Sequence, residues 1–151
     1  MAERTFIMLK PDTVQRDLIG EIIGRFERRG LKIVAMKLIQ MDKKTAQKLY
    51  ETHKGKEFFE PLVKYVISGP CVVAVLESKH CIDIVRKMLG STDPKNAEPG
   101  SIRGDFGMQM RRNVVHASDS LETAKREISI FFSKDEIIDY KKSDEEWVYE
   151  H

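Results

Sequence analysis

The stretch Asn113-Val114-Val115-His116-Ala117-Ser118-Asp119 sets an imidazole among small and polar neighbours, directly after an apolar pair. That pattern reads as a short strand delivering one histidine to an open rim. Imidazole has an unperturbed pKa near neutrality, so a neutral, well-oriented ring can serve as base, metal ligand or nucleophile. The stretch alone leaves those three open, beside the plain alternative of a strand-end histidine held by local Ser and Asp bonds. Two features favour chemistry: Ala117 leaves room beside the ring, and Arg103, Arg111 and Arg112 stand a short way upstream. Cationic groups around an imidazole suit an anionic ligand.

Other residues extend the same theme. Lys10 sits at a strand end, Arg86 lies off a core-facing helix, Thr92 and Arg103 fall in a long irregular stretch, and Asn113 neighbours His116. Together they could form a phosphate site at one sheet edge, because guanidinium donors lie in a fixed planar fork that matches phosphoryl oxygens. Each basic residue taken singly reads as a solvated charge; convergence is the expectation. The usual nucleotide signatures are missing. No G-x-x-x-x-G-K-[ST] or G-x-G-x-x-G occurs. Asp105-Phe106-Gly107 imitates a kinase magnesium motif without that family's other segments. Arg103 to Gly107 is a partial match to an RNA-binding strand signature, interrupted by Asp105. His53, His80, His116 and His151 are not paired at metal-ligand spacing.

The elements that must position these groups follow from periodicity. Phe6-Ile7-Met8-Leu9 is a strand stopped by Pro11 and Asp12. Leu18, Ile19, Ile22, Ile23 and Phe26 recur at helical spacing, with Gly30 as the cap. Leu31 to Met41 alternates in part, as a half-buried strand does. Lys43–Thr52 and Phe58–Ile67 form a helical hairpin ended by Ser68-Gly69-Pro70. Cys71 to Leu76 is continuously apolar, a central strand covered on both faces. Cys81, Ile84, Val85, Met88 and Leu89 make one helical face. From Gly90 to Gly107 periodicity fails, and a loop that long is usually functional. After the His116 strand, Leu121, Ala124, Ile128, Phe131 and Phe132 define a last helix capped by Asp119 or Ser120. Beyond Tyr140 a charged tail carries Trp147 and Tyr149, aromatics that suit docking onto the chain's own body or a neighbour. The predicted fold is α+β, a ferredoxin-like βαββαβ arrangement: a four-stranded antiparallel sheet covered by helices, with an inserted helical hairpin and a long loop before the last strand.

Composition narrows the classes. A chain of 151 residues suits one domain, 1–151, with 140–151 as its tail. Twenty-six basic against 24 acidic residues give a net charge of +2, which offers no support for bulk nucleic-acid binding. No apolar run approaches the roughly 20 residues of a membrane span. The N-terminus lacks a signal pattern, so a cytoplasmic location is expected. Cys71 and Cys81, without metal spacing, read as buried reduced thiols.

Over essentially its whole length the chain resembles the nucleoside diphosphate kinase family. The family signature Asn-x-x-His-[Gly/Ala]-Ser-Asp stands as Asn113 to Asp119. Similar segments are Lys10-Pro11-Asp12, Phe58-Phe59 with Leu62-Val63-Lys64-Tyr65, Ser68-Gly69-Pro70, Met88-Leu89-Gly90, Pro99 to Phe106 and Trp147 to Glu150. The resemblance implies ping-pong transfer of the terminal phosphoryl group from a nucleoside triphosphate to a nucleoside diphosphate, with His116 as nucleophile and broad base specificity. It implies that Glu127 holds the other ring nitrogen, that Ser118 orients Glu127, and that Tyr50 lies beside the transferring group. Arg86, Thr92 and Arg103 would hold phosphates, while Lys10 and Asn113 would reach ribose hydroxyls and inner phosphates. Phe58 would stack on the base with Leu62 beside it and Met110 near its other face. Magnesium would ride on the nucleotide's phosphates with no direct protein ligand, Asp119 being at most water-mediated. A homo-oligomer, six subunits rather than four, is expected, with no membrane and with nucleic acid not as the main partner. Arg111, where the family often has glycine, and Ala117, the rarer small residue, are the departures. The rivals are a noncatalytic binding module on the same fold and a histidine-dependent phosphatase or phosphocarrier; the intact Lys10, Tyr50, Arg103, Asn113, His116 and Glu127 set argues against the first.

Overall fold

The computed structural model describes residues 2–150. Four strands, β1 (Glu3–Leu9), β2 (Lys32–Ile39), β3 (Cys71–Ser78) and β4 (Val115–Ala117), form one sheet in the order β2-β3-β1-β4, with every pairing antiparallel. Strand residues alternate sides. Phe6, Met8, Cys71, Val73 and Val75 therefore join one buried cluster, while Ile7, Leu9, Val72, Ala74 and Leu76 join the other. Helices cover both faces, which explains why β3 reads as an unbroken apolar run.

On one face lie α2 (Ile19–Arg29) and α5 (Cys81–Leu89), which bury Ile22, Phe26, Val85 and Leu89. Helix α2 stops where the sequence places its glycine. Gly30 adopts φ 103°, its N–H bonds to the Glu27 carbonyl, and Leu31 N–H reaches Phe26 at 3.1 Å, a Schellman ending. On the opposite face lie α3 (Lys43–Leu49), α4 (Phe59–Val66) and α7 (Leu121–Phe131), which contribute Ala46, Leu49, Val63 and Phe131 to the first cluster. Short α1 (Pro11–Gln15) follows β1 directly, with proline in its first turn, where a missing N–H costs nothing.

Four expectations change in detail. Lys43–Thr52 is not one helix: α3 ends at Leu49, Tyr50 is its cap, and a 3₁₀ turn spans Glu51–His53. The stretch from Gly90 to Gly107 holds a 3₁₀ turn, Pro94–Asn96, and a five-residue helix, α6 (Ile102–Phe106). A helix that short shows no periodicity in sequence. It is fixed instead by Ser101, whose hydroxyl accepts from Gly104 N, and by Asp105, which takes Gly100 N–H at 2.8 Å and pairs with Arg25 at 2.7 Å. In β2 a bulge between Ile33 and Ala35 buries both Val34 and Ala35 and leaves Met36 and Leu38 exposed, hence the partial alternation. In α7, Leu121 is 47% exposed rather than in the core, and Glu127, at 3%, faces inward beside Ala124.

The tail lies on the chain's own body. Tyr140 donates to the Ile33 carbonyl at 2.5 Å, Lys32 bonds the Tyr140 carbonyl, and a short helix, α8 (Glu145–Val148), packs Val148 so close to Gly30 that a Cβ there would meet it at 2.9 Å. Trp147 takes no part in this and is 84% exposed. Among the described residues no helix is long and apolar enough to cross a membrane.

Candidate active site at the β4 edge

Pairing of β4 with β1 sets His116 opposite Met8, on the face covered by α3 and α7. Because β4 is the edge strand, the ring sits at a rim and stays half-buried. Its neighbours in the strand point away: Val115 and Ala117 belong to the opposite core cluster. Ala117 therefore does not make room beside the ring, as expected from sequence; its carbonyl instead accepts Arg86 at 3.2 Å.

The entry to β4 is sharply bent. Val114 has φ 66°, rare for a β-branched residue, and Val115 N–H bonds the Asn113 carbonyl at 2.8 Å, a γ-turn of the strained, φ-positive kind. The turn aims the Val114 carbonyl at β1 and α1, where Lys10 N–H donates at 2.9 Å and the Thr13 hydroxyl at 2.6 Å. The strain therefore lies where the chain must connect the strand ends that carry Lys10 and His116.

Glu127 reaches back from the second turn of α7. Its Oε1 lies 2.9 Å from His116 Nε2 and accepts the Ser118 hydroxyl at 2.7 Å. A carboxylate accepts only, so in the neutral ring Nε2 carries the proton and Nδ1 the lone pair. Tyr50 presents its ring edge-on to the imidazole, with centroids 6.2 Å apart and planes at 83°. Its hydroxyl is buried with no protein partner among the described residues, and burial beside Glu127 raises its pKa, so it remains a donor.

Hydrogen bonds tie several of the residues singled out in sequence to β4 and its entry. Lys10 Nζ donates to Asn113 Oδ1 at 2.7 Å, and Asn113 Nδ2 donates to the Thr92 carbonyl at 3.0 Å. Arg103 is 4% exposed and bonds the carbonyls of Gly90 at 3.2 Å and Val115 at 2.7 Å. Burial lowers the Lys10 pKa to about 8, with Arg103 adding to the fall, and lowers Arg103 to about 10, with Arg86 adding. Buried like charges held together suit an anionic ligand. Of the three arginines upstream of His116, only Arg103 serves here. Arg111 is exposed, and Arg112 lies over the Tyr65 ring at 4.1 Å, while the Tyr65 hydroxyl bonds Asp12.

Phe58 is 37% exposed at the start of α4, Leu62 packs against the core beneath it, and Met110 is 54% exposed in a 3₁₀ turn. The residue missed in sequence is His53. Its ring meets Phe58 at 5.1 Å and Tyr50 at 6.4 Å, so an aromatic file runs Phe58, His53, Tyr50, His116. Burial, helped by Lys56 and His116, lowers its pKa. Nothing in its spacing signals this, since the 3₁₀ turn places it. For a divalent cation, the fit is to one that arrives on phosphate oxygens: Glu127 Oε1 already serves His116 and Ser118, Lys10, Arg86 and Arg103 are cationic, and Asp119 is the exposed carboxylate nearest in sequence.

Comparison with known proteins agrees with this chemistry. The family model described as nucleoside diphosphate kinase matches residues 3–137. The chain is 57% identical over 148 residues to a nucleoside diphosphate kinase of Archaeoglobus fulgidus, covering 98% of each chain. It is 58% identical over 139 residues to one from Kosmotoga olearia, covering 92% of this chain and 95% of that protein. The solved structure of a halophilic nucleoside diphosphate kinase from Halobacterium salinarum in complex with CDP superposes with a TM-score of 0.97 at 43% identity, covering 99% of this chain and 100% of that one.

Proposed function

Because this chain belongs to the nucleoside diphosphate kinase family, we propose that its transfer of phosphoryl groups between nucleoside triphosphates and diphosphates runs through a phosphohistidine on His116. The carrying observation is the 2.9 Å bond from Nε2 to Glu127, which turns Nδ1 to the outside on a strand whose Val115 and Ala117 carbonyls accept Arg103 and Arg86. An Nδ1–phosphorus bond forms as the terminal phosphorus–oxygen bond breaks, and the bridging oxygen leaves with the diphosphate. A second diphosphate then takes the group back by the reverse path. Glu127 stabilises the ring as it becomes cationic, and Ser118 holds Glu127 in place.

Arg86, Arg103 and Thr92 hold phosphate oxygens, Lys10 and Asn113 hold inner phosphates and ribose hydroxyls, and Tyr50 donates its otherwise unmatched hydroxyl to the moving group. Phe58, with Leu62 and Met110, stacks on the base; stacking carries no hydrogen-bond code, so purines and pyrimidines both fit. The family requires a divalent cation. Magnesium on the nucleotide's phosphates would supply charge neutralisation, with Asp119 at most touching its water shell. We place the enzyme in the cytoplasm, on its buried free thiols. We infer six subunits, on Trp147 left exposed by a tail that is otherwise docked; a light-scattering mass near four subunits overturns that.

ATP alone should label the protein with an acid-labile, alkali-stable phosphate, and His116→Gln should abolish label and transfer. Retained label in that variant refutes the nucleophile. Chasing with a diphosphate must return a triphosphate; release of inorganic phosphate instead marks a phosphatase.

A further inference from the structure

Arg126 precedes Glu127 on α7 and is partly exposed, yet both terminal nitrogens of its guanidinium are hydrogen-bonded. One terminal nitrogen donates to the Lys48 carbonyl at 3.2 Å; the other donates to Leu49 at 3.3 Å and lies 3.9 Å from Glu127 Oε2. Lys48 and Leu49 end α3, and the next residue is Tyr50, whose ring faces His116. The last carbonyls of a helix have no partner within it and carry the negative end of its dipole, so a planar cation suits them. The same cation meets the one Glu127 oxygen that neither His116 nor Ser118 uses.

We propose that Arg126 is a positioning residue for the phosphoryl-transfer step, locking the Tyr50 end of α3 to the carboxylate that orients His116. The proposal rests on His116 being the nucleophile. A fork bridging two helices fixes the distance between Tyr50 and the imidazole, the two side chains assigned above to the transferring phosphoryl group. The groups facing Glu127 are His116 from β4, Ser118 beyond it, Tyr50 from α3 and Arg126 from its own helix. Arg126 therefore sets a cation 3.9 Å from Oε2 while Oε1 serves the ring. A cap that merely stabilised α3 would affect folding without touching the chemical step selectively.

Quenched-flow labelling of the full-length protein by ATP separates these roles. In Arg126→Gln the rate of phosphohistidine formation at saturating ATP should fall roughly tenfold, with half-saturation within about twofold of the parent, because a small misplacement of reacting groups acts on the step rather than on binding. Arg126→Lys keeps the charge and one carbonyl bond, and should recover the rate to within about threefold while staying slower than the parent. An unchanged rate in Arg126→Gln overturns the proposal, as does a loss wholly in half-saturation. If Arg126→Gln does not fold, Arg126→Lys decides: a full parental rate overturns the proposal. Mapping the label distinguishes the two levels. Label away from His116 in the parent sinks the nucleophile assignment and this inference with it; label on His116 with unchanged rates sinks the inference alone.

Discussion

Lys10 is a buried cation held against a buried Arg103 before any phosphate arrives, and that has a measurable cost. Its pKa falls from an ordinary 10.5 to about 8 through burial first and Arg103 second, with Asp12 opposing. In the unfolded chain the amine keeps its ordinary value. Between these two values the unfolded state binds more protons than the folded one, so stability rises with pH across that window. The whole fall is worth about 3 kcal/mol, of which about 2 kcal/mol is recovered between about pH 7 and pH 9.5. Lys10→Met removes the titration. It also leaves Asn113 Oδ1 without its 2.7 Å donor, a loss that does not vary with pH. Urea denaturation of both proteins across this range should therefore show the parent gaining about 2 kcal/mol relative to Lys10→Met, whatever their absolute order. The other groups near the site, including Arg103, are common to both proteins and largely cancel. With saturating nucleoside triphosphate the phosphates restore the amine's charge, and the relative gain should shrink or vanish. A difference flat with pH in the nucleotide-free proteins refutes the reasoning, because it means Lys10 keeps its ordinary pKa.

Three further outcomes follow from the geometry. At Val114, where φ is 66°, glycine should be no worse than alanine: Val114→Gly and Val114→Ala both lose a buried side chain, but only glycine escapes the strain, worth about 1 kcal/mol, and thermal unfolding of the pair checks the inverted order. At Gly104 a Cβ would stand 2.0 Å from the Glu98 carbonyl oxygen; Gly104→Ala must displace the segment beside Arg103, raising KM for nucleotides at least about fivefold in steady-state assays. Glu127→Gln keeps the shape but removes the acceptor charge, and should slow phosphohistidine formation by roughly a hundredfold with little change in nucleotide affinity, as read by single-turnover labelling.

How much was legible beforehand depends on the range of the interaction. The strands and α2, α5 and α7 were readable because each has a face several residues long that must be buried, and that requirement is written at a period of two or 3.6. The Gly30 stop was readable because its left-handed φ favours glycine. His116 stood out among small neighbours, while roles for Glu127, Tyr50 and Phe58 came only from the family resemblance, since no periodicity marks them. Hidden were α6, too short to have a period, and the break at Tyr50, where the preceding carbonyls of α3 accept Arg126 from far along the chain.

The sequence by itself determined which side chains could bind phosphate and which segments must be strands or helices, since composition and spacing act locally. Only the tertiary structure decided that Glu127 faces inward, that Arg103 rather than Arg111 or Arg112 joins the site, that His53 completes an aromatic file and that Ala117 turns away from the ring. Those outcomes depend on strand register and on helices meeting from distant parts of the chain. A shift of one residue in the pairing of Met8 with His116 would turn the imidazole to the opposite face of the sheet, away from Glu127.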